Sequence, residues 1–464
     1  MHLFDFPEEM FSKIILHASL ARGVKRALRL RLVCKRFSQA LPRALFESRL
    51  LDAFNTEKIL SDWVIENDHG ATKLWHSYLV YRVHNEIRQP CQRRYVELRL
   101  VAQRVCEETG ADMETTIEAL CWPALKQCTI PDINSKLEKE PLSPNLDLLC
   151  AAAYLNHIAV AQRLLREGYS PHTETHLFLS PMELAAWAGN TQLLQMFQQN
   201  VPELEGFDPA RLNNPAWRGK VGPTSIRGAA ARGDIEMVRL AIYPPSRAAP
   251  ENTDFVDQFF GSVARSSCTG VKLSIAQSAT REIEVYKYLE RFFSKPADFS
   301  RDLVTHARLG NLEMVRYLLD AGADTRGVYG RHDNPLAEAC RRCHEDVVDL
   351  LLDRGADPNF HGDENVVAGP SAMHIAAASG SLAMVYKLIA RGGDLFFEDF
   401  GIEMGFPALH SAVQLENTEM VKYLVAAGVN LTIYGETILR LASLRGLDSM
   451  VEVLQGEGVS FGLG

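Results

Sequence analysis

The chain has 464 residues, of which 47% are hydrophobic and 23% charged, with a net charge of −9. Those proportions suit a soluble globular protein, and no run of about 18 apolar residues is present, so no transmembrane helix is expected. Acids at the start stand where a secretory signal would need Lys or Arg, and the nine scattered cysteines are therefore expected as reduced thiols of a cytoplasmic or nuclear protein.

The net charge hides an asymmetry. Residues 1–45 hold nine Lys or Arg against three acids, which leaves −15 on the remaining 419. A basic head on an acidic body suggests two separate binding tasks. Phe6-Pro7-Glu8-Glu9 opens a predicted amphipathic helix, because Pro is preset for a first turn and the acids favour the positive end of the helix dipole. Met10, Ile14 and Phe11 form its apolar face, with Ile15 beside it. A second apolar run, Leu28, Leu30, Leu32 and Val33, leads into Cys34-Lys35-Arg36-Phe37. Three short helices in about 45 residues cannot bury a full core alone, so exposed apolar surface and a partner are expected.

This pattern resembles the F-box. The family's Leu-Pro-x-Glu, Ile-Leu and Val-Cys-Lys-x-Phe elements correspond here to Phe6-Pro7-Glu8-Glu9, Ile14-Ile15-Leu16 and Val33-Cys34-Lys35-Arg36-Phe37, with Leu28 between them. The segment Ser19 to Lys25 departs from the family, being about four residues longer than its usual linker and lacking its acids. The resemblance implies docking on a Skp-type adaptor, and through it a cullin, by Phe6, Pro7, Glu9, Ile14, Ile15, Leu28, Leu32, Val33, Cys34 and Phe37. The alternative is that residues 1–45 form a helical lid capping the repeat stack. The basic run from Arg22 to Arg36 lacks interleaved aromatics for base stacking, so no nucleic-acid partner is expected. Attraction to an acidic adaptor or a solvated helix face accounts for it.

Residues 51–144 match no motif. Leu79-Val80-Tyr81-Arg82-Val83 and Leu98 to Val105 show helical spacing, and Thr129 to Pro144 reads as a Pro-rich, charged linker.

From residue 145 to 464 the chain repeats itself. Asn311-Leu312-Glu313-Met314-Val315-Arg316-Tyr317-Leu318-Leu319-Asp320-Ala321-Gly322-Ala323-Asp324 is echoed by Ile235-Glu236-Met237-Val238, Leu382-Ala383-Met384-Val385 and Thr418-Glu419-Met420-Val421. Aligned on Val315, the positions are Ala161, Leu194, Val238, Tyr286, Val315, Val348, Val385, Val421 and Val451. The gaps are 33, 44, 48, 29, 33, 37, 36 and 30 residues, a base period near 33 with insertions. Small residues recur where two helices must approach: Ala151-Ala152, Ala185-Ala186, Ala229-Ala230, Ala376-Ala377 and Ala412. A turn residue comes next at Asn156, Gly189, Gly233, Gly310, Gly380 and Gly446.

These units resemble ankyrin repeats. The family's Thr-Pro-Leu-His-x-Ala turn is similar to Ser371-Ala372-Met373-His374-Ile375-Ala376, Pro407-Ala408-Leu409-His410-Ser411-Ala412 and Asn334-Pro335-Leu336-Ala337-Glu338-Ala339. The unit around Tyr286 departs most, with Ser278-Ala279-Thr280-Arg281 where a Gly turn belongs. The resemblance implies a stack of helix pairs that binds proteins rather than catalyses.

Cys340-Arg341-Arg342-Cys343-His344 has the Cys-x-x-Cys-His form of a haem attachment signal, and a Cys pair also suits zinc. In the repeat register each residue has a structural place instead. Cys340 falls at the small-residue contact, Cys343 at the turn and His344 at the start of the second helix. His374 and His410 likewise read as structural histidines. No catalytic constellation is found, and neither a metal nor a cofactor is expected.

The loops between units carry many aromatics beside acids, which marks them as a contact surface for a target protein. The residues singled out are Tyr329, Arg331, Phe360, Asp363, Phe396, Phe397, Phe400 and Tyr434, although some aromatics there are equally expected to pack between neighbouring loops. The expected protein is all-α: a three-helix F-box-like head (1–50), a helical linker region (51–144) and an ankyrin α-solenoid (145–464) of about nine units with short β-hairpin or loop fingers. It would be a non-enzymatic monomer outside its complex. The expected function is that of a substrate-recognition adaptor of a cullin–RING ubiquitin ligase, with a scaffold acting without any ligase as the alternative.

Overall fold

The computed structural model describes residues 6–53, 70–86, 93–127, 143–200, 223–242, 274–291, 299–327, 334–360, 371–395, 407–429 and 431–461. The regular elements among these residues are all helices, joined by turns and short loops, with no strand among them. The loop segments 328–333, 361–370 and 396–406 lie outside them, so the expected β-hairpin fingers do too. The chain falls into two compact units, residues 1–296 and 297–464.

The first unit opens on α1 (Glu8–Ala27), a 3₁₀ turn (Leu28–Leu32) and α2 (Lys35–Ser48). Two long helices and a turn replace the expected three short helices. The segment Ser19–Lys25, expected as a linker, continues α1. Its residues explain this: Leu20, Ala21, Arg22 and Lys25 favour helix, and no proline interrupts them. The apolar face is also rotated from expectation. Phe11, Ile15 and Ser19 point inward at helical spacing, while Met10 is exposed and Ile14 half-buried. Phe11 meets Phe37 of α2 edge to face at 5.4 Å, and the Arg36 guanidinium lies over the Phe11 ring at 4.4 Å. Ser19 satisfies its buried hydroxyl by donating to the Ile15 carbonyl at 2.8 Å.

Three further helices come next: α3 (Gly70–Asn85), α4 (Arg93–Thr109) and α5 (Met113–Gln127). They enclose a charged network. Arg82, 3% exposed, donates to Asp52 at 2.6 Å, to the Tyr78 hydroxyl at 2.7 Å and to Glu86 at 3.2 Å. Arg49 reaches Glu86 at 3.2 Å from the other side, so its buried carboxylate faces two cations. Helix pairs then begin: α6 (Pro144–Leu155) with α7 (Ile158–Arg166), α8 (Pro181–Ala188) with α9 (Thr191–Gln199), and α10 (Pro223–Arg232) with α11 (Ile235–Ile242). The irregular unit around Tyr286 supplies a helical stretch over 274–279 and α12 (Ile283–Glu290). One buried apolar core runs unbroken from Phe11 to Leu289.

The second unit continues with α13 (Phe299–Leu309), α14 (Leu312–Asp320), α15 (Pro335–Arg342), α16 (Glu345–Asp353), α17 (Ala372–Ser379), α18 (Leu382–Ala390), α19 (Pro407–Gln414), α20 (Thr418–Ala426), α21 (Leu431–Leu444) and α22 (Asp448–Gly456). Odd-numbered helices are the first, and even-numbered the second, of each pair here. The repeating small residues are fully buried where first helices touch, with Ala376, Ala377 and Ala412 at 0% exposure and Cys340 alike. In α13 that place is taken by His306, also fully buried.

Left-handed residues end the first helices. Glycine supplies most of them, but Asn156 (φ 63°), Cys343 (φ 59°) and Glu416 (φ 52°) do so without glycine's freedom. The second helices start on caps that sew the stack together. Asn311, Ser381 and Asn417 each accept from a backbone N–H of the following turn. Asn417 also donates from Nδ2 to the Gly380 carbonyl of the preceding pair at 3.4 Å, and His344 Nε2 lies 2.9 Å from the Arg308 carbonyl.

Candidate interaction surfaces

The head residues expected to dock a partner divide in two. Ile15 and Phe37 are core residues, 1% and 8% exposed. Their contribution is to hold α1 on α2. Phe6, Ile14, Leu28 and Cys34 are half-buried, whereas Pro7, Glu9 and Val33 are exposed; the side chain of Leu32 lies outside the described set. Among the described residues, the large apolar side chains that the head presents to solvent are Met10 (46% exposed), Leu20 (49%) and Val33 (62%). Met10 and Leu20 were absent from the sequence-based docking set, since placing Leu20 in a linker hid its helical position.

Of the residues expected on the repeat fingers, Tyr329, Arg331, Asp363, Phe396, Phe397 and Phe400 fall outside the described residues. Phe360 is half-buried in a turn, its N–H donating to the Asp357 carbonyl at 3.2 Å and its own carbonyl accepting from Asn334 Nδ2 at 3.3 Å. Tyr434 and Ile433 are not in a finger loop. They lie in the first turn of α21, which begins at Leu431 and runs on through Gly435.

The Cys-x-x-Cys-His segment is distributed by the register. The Cys340 thiol is buried, and desolvation pushes its pKa up to about 12. Cys343 sits exposed at the turn, and His344 stands at the start of α16, its ring turned to the Arg308 carbonyl rather than capping the helix. His410 is held below its ordinary pKa first by burial and then by the fields of Arg445 and His374. Its Nε2 lies 2.7 Å from the side-chain amide of Gln414. No group of three or more His, Cys, Asp or Glu residues suited to a metal ion occurs among the described residues. No described helix is long and apolar enough to cross a membrane.

Two helical faces of the second unit differ in chemistry. The second helices are acidic and cross-linked between pairs. Arg354 reaches Asp320 at 2.7 Å, Lys387 reaches Asp349 at 2.5 Å and Arg391 reaches Asp353 at 2.7 Å. Solvent-exposed pairs of this kind each contribute about 0–1 kcal/mol, so they tune register more than they hold the stack. Tyr386 and Tyr423 pack ring to ring at 4.0 Å on the same side. The first helices are more basic. Glu338 is gripped by Arg308 at 3.2 Å and Arg341 at 3.1 Å. A shallow groove of about 450 Å³ opens beside α21, lined by Glu436, Thr437, Arg440, Leu441 and Leu444.

Sequence comparison accounts for this part of the chain. A family model described as ankyrin repeats, in three copies, matches residues 280–361 and 369–462. The chain is 30% identical over 154 residues to a B-cell lymphoma 3 protein homolog of Mus musculus, covering 32% of this chain and 34% of that protein. It is 31% identical over 154 residues to the transient receptor potential channel pyrexia of Drosophila melanogaster, covering 32% and 15% respectively. A third relative, the ankyrin repeat and KH domain-containing protein mask-1 of Caenorhabditis elegans, is 26% identical over 267 residues, 53% of this chain and 10% of that protein. The chain thus spans about a third or less of the length of these curated relatives. Its C-terminal region carries ankyrin repeats, a protein–protein interaction module.

Proposed function

We propose that this protein is the substrate-recognition adaptor of an SCF-type cullin–RING ubiquitin ligase. In this reading the head docks on a Skp-type adaptor, and through it a cullin, while nine ankyrin units from Ala161 to Val451 select a target protein. The protein has no active site of its own and works in the cytoplasm or nucleus. It raises the rate by holding its target near the ubiquitin-charged enzyme, an effective-concentration effect. The supporting observation is the head itself. The Phe6–Glu9 and Val33–Phe37 motifs sit on one helical hairpin that keeps Met10, Leu20 and Val33 in solvent. Apolar anchors of that kind carry affinity in helix-to-helix docking.

The test is affinity purification with the proteasome blocked. Wild type is expected to recover a Skp-type adaptor and a cullin, and Leu20→Asp with Val33→Asp to lose both. Recovery of neither by the wild type would refute the ligase reading. A second reading, a scaffold without a ligase whose head is a lid, is favoured by the continuous core from Phe11 to Leu289. It predicts partners that do not change with the head variant.

A further inference from the structure

Serines on the helices of this chain commonly turn their hydroxyls back on the backbone. Ser19, Ser48 and Ser379 donate to the carbonyls of Ile15, Leu45 and Ala376 at 2.8, 3.0 and 2.8 Å. Ser443, in the last turn of α21, makes no such bond among the described residues. It opens a run of four exposed residues, Ser443, Leu444, Arg445 and Gly446, that carries the chain from α21 towards α22. Counted back from the left-handed turn residue, its counterparts in the preceding pairs are Cys340, Ala377 and Val413, all fully buried. The serine is thus the member of this set that stands in solvent.

The residues around that hydroxyl form a pattern. Arg440 stands three residues before it, with its side chain 61% exposed and paired to Glu436 at 2.6 Å. An exposed pair of this kind holds its arginine weakly, so Arg440 can exchange Glu436 for a better-matched carboxylate. Leu444 comes directly after the serine at 86% exposure, followed by exposed Arg445. The sequence contains the spacing Arg-x-x-Ser or Arg-x-x-Thr twice. The other instance, Arg291 to Ser294, runs beyond the described residues.

This turn is also easy to open. Arg445, Gly446 and Leu447 donate to the Leu441, Ser443 and Ala442 carbonyls at 3.1, 3.0 and 2.9 Å, and these three bonds close the end of α21. No side chain from Ser443 to Gly446 is buried. Drawing the segment into an extended conformation therefore exposes little new apolar surface.

We propose that Ser443 is a phosphorylation site for a serine kinase with an acidic substrate groove and ATP as the phosphoryl donor. Arg440 meets the carboxylates of that groove and Leu444 an apolar pocket next to the reacting atoms, a charge and shape pattern of the kind by which kinases discriminate. The Ser443 Oγ attacks the γ-phosphorus of ATP. An Oγ–P bond forms, the bond from that phosphorus to the β–γ bridging oxygen breaks, and ADP leaves. The hydroxyl proton passes to the catalytic carboxylate of the kinase. A phosphate of about −1.5 to −2 charge then lies between Arg440 and Arg445 and cancels their local excess. Because it sits at the negative end of α21, those two arginines are what keeps it from unwinding the last turn. Regulation at this turn is independent of what the head docks on.

The experiment incubates the folded full chain with γ-labelled ATP and the catalytic domain of a calmodulin-dependent serine kinase, an arginine-directed enzyme. An acid-directed casein kinase is the contrast. Mass spectrometry locates the phosphate, and circular dichroism melting checks that each variant is folded. Label on Ser443 from the arginine-directed enzyme is expected, and Ser443→Ala should lose it. Arg440→Ala and Leu444→Asp, both at exposed positions, should each slow labelling about tenfold or more. Arg316→Ala, on a second helix, should leave the rate unchanged. Label confined to Ser294 or other residues, label on Ser443 only after heat unfolding, or faster labelling by the acid-directed enzyme would overturn the inference. So would indifference to both Arg440→Ala and Leu444→Asp.

Discussion

Gly228 offers a test of how closely the helix pairs of the first unit approach. It lies inside α10, where an alanine would ordinarily strengthen the helix by about 1 kcal/mol. Here a Cβ at this position would run into the backbone carbonyl oxygen of Glu183 on α8, with the carbonyl carbon and the Glu183 Cγ each at 3.2 Å. That obstacle cannot swing away, because it is helix backbone. The Glu183 side chain is fixed too, 2% exposed and held by Arg227 through Nη2 to Oε2 at 2.6 Å. Forcing the helices apart costs about 1–3 kcal/mol for overpacking, and it stretches a partly buried ion pair whose loss would add to that. The clash outweighs the propensity gain, so Gly228→Ala is expected to destabilise the protein by about 1–2 kcal/mol. Urea unfolding followed by far-ultraviolet circular dichroism gives the value. Ala231→Gly on the same helix, half-buried rather than buried, should cost only the propensity term of about 1 kcal/mol. A Gly228→Ala variant that is more stable than wild type would refute the close approach of α8 and α10.

Three other outcomes are expected of the same structure. Cys343 holds a left-handed conformation without glycine (φ 59°), so Cys343→Gly should raise stability by about 1 kcal/mol, seen as a higher melting temperature. Arg82→Met strands the buried Glu86 carboxylate with the half-exposed Arg49 alone. It should cost about 3–5 kcal/mol, with part of that regained by adding Glu86→Leu. Burial pushes the Asp147 carboxyl up to about 6, against the lowering influence of Thr175, His176 and Arg104 and with the raising influence of Glu97. The folded state then binds this proton more tightly than the unfolded chain. Its contribution is fully present below the ordinary carboxylate pKa near 3.9 and is lost as pH rises towards 6. Asp147→Asn should remove that slope, measured as urea midpoints between pH 4 and 6.5.

Much of the architecture was legible because it depends on spacing and residue size. Ala376, Ala412 and Cys340 could be placed at helix contacts, and Asn156, Cys343 and His344 at turns and caps, from register alone. What escaped depends on neighbours distant in sequence. Glu416 was not recognised as a turn residue, since glutamate has no preference for the left-handed region and only the stack imposes it. His306 was missed at a contact that elsewhere takes alanine, and Arg82, Asp52 and Glu86 gave no sign that they would share one buried network. On the head, Met10 and Phe11 are adjacent apolar residues, and α2 decides which of them is covered. The separation of basic first helices from acidic second helices was invisible in a net charge, because the sum discards which side of a helix pair each residue occupies. Most finger residues expected to meet a target lie outside the described residues; Tyr434 was misplaced because the final first helix starts one turn early.

The uninterrupted core of the first unit bears on how the beginning of the chain should be perturbed. Phe46 packs at a tilt against Tyr78 and Tyr81 at 5.3 and 5.5 Å, and Asp52 answers Arg82. Deleting the first fifty-three residues would uncover rings and strand a guanidinium far downstream. A shortened protein would then report on its own collapse rather than on a missing partner. Surface substitutions at single positions, and not amputation, are the means of asking what this end of the molecule touches.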